Sequence, residues 1–177
     1  MFEFDEHLGW KFVPNQKTSI YYPGEAQHYI QTNSLGFRDN ELMDIKNKKI
    51  LVLGDSFVSN ISVTNKNVFT EIIQDSLKKT EVINFGVNGY GQVQEFLTLR
   101  KWFNEINPDI IILMIFIRND FDDNMNQNWR YPRPLASWDE KLDILNINST
   151  PQLQNKAPAK NTFLRLLAKS HLSLFIG

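Results

Sequence analysis

Cysteine is absent from the chain, which excludes disulfide bonds and thiolate metal sites. That absence suits a reducing cytosol and a bacterial envelope protein without disulfides equally well. Histidine is scarce, at three residues, so chemistry that needs an imidazole has few candidates. No charge of one sign dominates. The formal net charge is −1, which gives no electrostatic case for nucleic acid or for an anionic membrane surface as partner. Long apolar runs are missing too: the longest, Ile110 to Ile117, is far too short to span a bilayer. The start, Met1 to His7, is acidic and lacks the basic opening and apolar core of a signal peptide. The chain as written is therefore expected to be soluble, without stable membrane insertion. No internal repeat or biased tract interrupts it.

What is present fits one ordinary domain. The 177 residues are 42% hydrophobic and 22% charged, the balance of a globular fold. Residues 1–45 are irregular and rich in aromatics, punctuated by Pro14, Pro23, Gly24 and Gly36, with short extended pieces such as Tyr29 to Thr32. Within them Asn33 to Asp39 reads as a turn. The lysines Lys46, Lys48 and Lys49 mark a solvated approach to a change of pattern at residue 46.

From there the chain alternates. Ile50 to Leu53 is a short apolar run ending at Gly54, which predicts a buried parallel strand. Val68 to Leu77 has apolar residues at helical spacing, namely Phe69, Ile72, Ile73 and Leu77. Glu81 to Phe85 predicts a second strand. Gln94 to Ile106 predicts a second helix, with Phe96, Leu97, Leu99, Trp102 and Phe103 on a broad apolar face, stopped by Asn107-Pro108. Asp109 to Phe116, apolar on both faces, predicts a central strand. Strand, helix, strand, helix, strand predicts an α/β class with a doubly wound, mainly parallel sheet. Residues 122–160 read as a polar insertion or loop carrying Trp129, Tyr131 and Trp138, and Asn161 is placed to cap a last helix.

In such sheets ligands bind outside the C-terminal strand ends. Three loops are expected there: Gly54 to Phe57, Gly86 to Gly91, and Arg118 to Asn124. Gly54-Asp55-Ser56 puts a serine hydroxyl at the sheet edge, after a glycine that permits close backbone approach. Alone, that tripeptide is also a common turn composition. Gly86, Gly89 and Gly91 fit a tight strand-to-helix turn, and their spacing is not the dinucleotide pattern. Asn119 fits a turn, and Asp122 and Asp123 a solvated acidic loop. With Asp120 they form an acidic cluster, but EF-hand spacing is absent and no metal is expected.

Together the three blocks are more specific. A Gly-Asp-Ser block, a glycine block and an Asn-Asp block, each after a successive strand, resemble the SGNH (GDSL-type) serine hydrolase family over about residues 48–124. Asn33 to Asp39 also resembles a stretch ahead of the nucleophile block in some bacterial members. The resemblance implies a three-layer, flavodoxin-like α/β/α fold and an ester hydrolase needing no cofactor. Its substrate would be a small-molecule ester, lipolytic or an acylated carbohydrate. Ser56 would be the nucleophile and, through its N–H, one oxyanion donor. Gly89 N–H and the Asn119 side chain would be the others, with Asp55 and Asp120 as supporting neighbours. Ile117 departs from the pattern, which has glycine two residues before the asparagine.

The family's Asp-x-x-His block, source of base and orienting carboxylate, has no counterpart. His7 and His28 precede the first core strand, and neither follows an aspartate by three residues. His171 follows Ala168, and Asp139 and Asp143 are followed by Leu142 and Asn146. The expectation is an N-terminal portion of a longer hydrolase, incomplete at its C-terminal side; a natural member without the base is the alternative. On either, activity of these residues alone is expected to be weak or absent. A non-catalytic carbohydrate- or acyl-binding domain is the competing reading, with Trp129, Tyr131 and Trp138 as stacking platforms. The resemblance leaves envelope, secreted and cytoplasmic locations open, and oligomeric state too.

Overall fold

The computed structural model describes residues 1–43, 48–125, 131–142 and 144–148. Trp129, Asp143, His171 and the helix expected after Asn161 lie outside the described residues.

The chain opens with two antiparallel hairpins. In the first, β1 (Phe2–Asp5) pairs with β2 (Gly9–Phe12), so that Phe4 lies opposite Trp10 and Phe2 opposite Phe12. Asp5 forms its turn, its Oδ1 accepting from the N–H groups of His7 and Leu8 at 2.9 Å each. The second joins β3 (Lys17–Ile20) to β4 (His28–Gln31). The segment after it is a turn built on Asn33, whose Oδ1 accepts from Leu35 N–H at 3.1 Å and Phe37 N–H at 2.9 Å.

A three-stranded parallel sheet follows, made of β5 (Lys48–Gly54), β6 (Thr80–Gly86) and β7 (Ile110–Leu113). The helices α1 (Ser56–Ser59) and α2 (Phe69–Ser76) connect β5 to β6, and α3 (Gln92–Ile106) connects β6 to β7. Asn107, in the left-handed region at φ 48°, ends α3, and its N–H bonds Phe103 O at 2.8 Å. Beyond β7 come α4 (Asp120–Met125) and a third hairpin, β8 (Leu135–Asp139) with β9 (Ile144–Asn148). The chain is thus a mixed α/β fold whose parallel sheet is flanked by helices.

Strand alternation sorts the core into two sides. Leu51, Leu53, Ile83 and Phe85 pack with Leu97 and Ile106 of α3 and with Leu8, Trp10, Phe12 and Phe37 of the first 43 residues. Val52 and Val82, at the alternate positions of their strands, pack with Val58, Phe69 and Leu77 of the α1–α2 connection. The N-terminal hairpin therefore shares the core of the sheet, and Phe37 stacks on Phe85 at 3.7 Å between ring centroids.

Three expectations change. Arg118 to Asn124, expected as a loop, becomes helical from Asp120 onward as α4. The central strand is β5, and β7 lies at an edge of the described sheet with its residues 41% to 49% exposed. An all-apolar strand announces that both its faces call for cover, but says nothing of strand order. On α3, Phe96 and Phe103 are exposed, and Gln94, Glu95 and Thr98 are buried in their place. Of the three, Gln94 is satisfied, its Nε2 donating to Leu8 O at 2.6 Å, whereas the Glu95 carboxyl and Thr98 hydroxyl have no hydrogen-bond partner among the described residues.

Candidate active site

Register brings the strand ends level. Gly54 stands opposite Gly86, and Leu53 opposite Leu113. Val87 N–H continues the ladder to Gly54 O at 3.1 Å, and Met114 N–H to Leu53 O at 2.9 Å. The loops bearing Ser56, Gly89 and Asn119 thus leave the sheet along one edge. They are also tied to each other. Ser59 Oγ donates to Asn88 Oδ1 at 2.6 Å, Gln92 Nε2 to Asp120 Oδ2 at 3.0 Å, and Val93 N–H to Asn124 Oδ1 at 3.3 Å.

Ser56 is the first residue of α1 and is half-buried. Asp55, itself buried, is the cap: its Oδ1 accepts from Phe57 N–H at 2.9 Å, and its Oδ2 lies 3.3 Å from Ser56 Oγ. Ser56 N–H has no acceptor among the described residues, as befits a first-turn amide. Gly54 favours glycine, because a Cβ there would stand 2.3 Å from Val58 Cγ2 and 3.2 Å from Met114 O and would force α1 to shift. Beside Ser56 the exposed Phe57 ring meets Phe116 at 4.3 Å, forming an apolar wall.

Gly89 adopts φ 76°, the left-handed region that glycine enters at little cost. Its N–H has no acceptor among the described residues. Asn119 differs. Its amide donates to Asp123 Oδ2 at 2.8 Å and to Asp120 Oδ1 at 3.3 Å, so both its hydrogens are engaged. Asp120 is fully buried and also accepts from Phe116 N–H at 2.6 Å. Burial raises its carboxyl pKa, and the negative Asp55 and Asp123 add to that against the hydrogen bonds it accepts.

Several residues unremarked in the sequence frame the site. Arg38, 1% exposed, donates to the carbonyl oxygens of Ser59, Asn60 and Val63, satisfying the end of α1. Arg133, also buried, pairs with Asp123 at 3.0 Å and lies over the Trp10 ring at 5.2 Å. Glu95, 1% exposed, has neither oxygen hydrogen-bonded among the described residues, and burial beside Asp120 and Asp55 pushes its pKa up to about 8. These contacts span long sequence separations, so no local pattern announced them. Only Arg38 lay in a stretch the sequence singled out, the Asn33 to Asp39 turn, and it carried no assigned role there.

No histidine among the described residues bonds Ser56. His28 instead contacts Glu25 at 3.1 Å on the second hairpin, and His7 is exposed. Tyr131 packs on the core and tilts against Phe4 at 6.2 Å, whereas Trp138 is 58% exposed. Among the described residues no group of acidic or histidine side chains is arranged to hold a metal, and no helix is long and apolar enough to cross a membrane. No protein-family model matches the chain, and no curated protein matches it in sequence.

Proposed function

We propose that the chain is an SGNH-type serine ester hydrolase in which Ser56 attacks the ester carbonyl. The observation that carries this reading is the pair of unaccepted N–H groups, of Ser56 and Gly89, on strand-end loops tied together through Ser59 and Asn88. In the reaction Ser56 Oγ bonds the carbonyl carbon while its proton passes to a base. The carbonyl oxygen becomes an oxyanion that accepts from Ser56 N–H and Gly89 N–H. Collapse breaks the bond to the alkoxide, which takes the proton, and water then releases the acid from the acyl-enzyme. Phe57 and Phe116 offer the acyl part an apolar wall. Asn119 joins as third donor once its amide turns from Asp123. The three-layer, doubly wound form of the fold belongs to the same reading, with helices on both sides of the order β6-β5-β7.

A second reading, an acyl- or carbohydrate-binding domain, rests on the exposed Trp138 ring as a stacking platform. Labelling by a fluorophosphonate, with imidazole added as external base, separates the two. A hydrolase forms an adduct at Ser56 that is lost in Ser56→Ala. A binding domain forms none, and quenching of tryptophan fluorescence by an acetylated oligosaccharide, lost in Trp138→Ala, identifies it.

A further inference from the structure

Trp10 is wholly buried on β2, yet its indole N–H reaches a strand-end loop 78 residues away, donating to Asn88 O at 3.0 Å. That oxygen and Gly89 N–H belong to one peptide unit. The unit is planar and, with no cis bond among the described residues, trans, so its C=O and N–H point in opposite directions. Holding Asn88 O on the Trp10 side therefore turns Gly89 N–H to the other side. Glycine tolerates both signs of φ, so this peptide is free to turn about Gly89 unless held from outside.

The hold is itself braced. Tyr90 Oη donates to Trp10 O at 2.6 Å, and the two rings meet edge-on with centroids 5.7 Å apart. Gln94 Nε2 fastens Leu8 O, two residues before Trp10. The Trp10 ring also carries Arg133, whose carboxylate partner Asp123 holds the Asn119 amide. One buried side chain thus touches the lines leading to two of the three oxyanion donors.

We propose that Trp10 is a positioning residue for the oxyanion pocket: its indole N–H aims Gly89 N–H into the crevice beside Ser56. This rests on the hydrolase reading of Ser56. It makes the N-terminal hairpin a working part of the site, although none of its buried ring can touch substrate.

The test replaces Trp10 by β-(3-benzothienyl)alanine, which keeps the shape of the ring and lacks only the N–H. Trp10→Phe is the encoded counterpart, and Ile106→Val, in the same core, is the control for simple destabilisation. Two quantities are read in each: the Gly89 amide chemical shift by NMR, and the rate of fluorophosphonate bonding to Ser56 with imidazole present. The expected result is a displaced Gly89 amide resonance and a maximal labelling rate lower by about ten- to a hundredfold. The half-saturating probe concentration stays unchanged, and Ile106→Val labels at the parent rate. Labelling of the benzothienyl variant at the parent rate overturns the proposal and leaves the hydrolase reading standing. No Ser56-dependent adduct in the parent overturns both, and an altered Gly89 amide would then mark a purely structural brace.

Discussion

Asn119 and Asp123 face each other across the first turn of α4, the amide of Asn119 donating to Asp123 Oδ2 at 2.8 Å. The other oxygen of Asp123 holds the buried Arg133 guanidinium at 3.0 Å. One carboxylate therefore restrains a candidate oxyanion donor and neutralises a cation that has no other ion-pair partner among the described residues.

Removing that carboxylate alone leaves Arg133 charged and buried. Asp123→Ala is expected to lower the unfolding free energy by about 3 kcal/mol, the range for breaking a buried pair from one side. Arg133→Met added to it should recover most of the loss, because the stranded charge goes too. Urea unfolding of the two single variants and the double variant measures the coupling. Strict additivity of the two losses would show that the pair is not a unit.

Glu95 supplies a pH signature. Burial, aided by the negative Asp120 and Asp55, moves its pKa from 4.5 to about 8, so the folded carboxyl is neutral at pH 7. The unfolded carboxyl ionises first as pH rises, so the contribution is complete below about 4.5 and is lost on the way to 8. Stability should fall over that window by on the order of a few kcal/mol, and Glu95→Gln should make the slope measurably shallower. Asp39 and Asp120, both raised chiefly by burial, leave a residual slope of the same sign. Unfolding curves at stepped pH values measure it; equal slopes in the two proteins would mean Glu95 is ionised when folded.

Gly54 tests the close packing under the nucleophile. Gly54→Ala places a Cβ 2.3 Å from Val58 Cγ2, and α1 has to shift. The expected cost is about 1 to 3 kcal/mol, with Ser56 labelling slowed beyond what the remaining folded fraction explains. A thermal melt and a labelling time course on the same sample separate the two effects.

Arg38 acts as a fork rather than a point charge, reaching Asn65 Oδ1 as well as the three carbonyl oxygens after α1. Arg38→Lys keeps the charge but cannot span those acceptors, so it should destabilise by about 2 kcal/mol and expose Asn60 to Val63 to faster hydrogen exchange. Exchange there at the parent rate would show that the fork is dispensable.

The three sheet strands and the two longer helices were legible between residues 48 and 113 because their patterns are local, whereas the short α1 and α4 and the β8–β9 hairpin carry no such pattern and were not read. Leu51, Val52 and Leu53 alternate faces, Phe69 to Leu77 keeps helical spacing, and Asn107-Pro108 stops α3 as read. Strand order was not legible, since Ile110 to Leu113 looks alike at the centre or the edge of a sheet. Ser56, Gly89 and Asn119 were readable as strand-end residues, and their loops do lie on one edge. What holds those loops was invisible. Trp10, Arg38, Glu95 and Arg133 act over long sequence separations, and only tertiary packing turns an unremarkable tryptophan or a solvated-looking Asp123 into part of the site.

The most direct measurement is intact and peptide mass spectrometry after fluorophosphonate treatment, with and without imidazole. The account predicts one adduct, located on Ser56, faster with imidazole and absent in Ser56→Ala. An unlabelled protein under both conditions, or an adduct on any other residue that persists in Ser56→Ala, would contradict it.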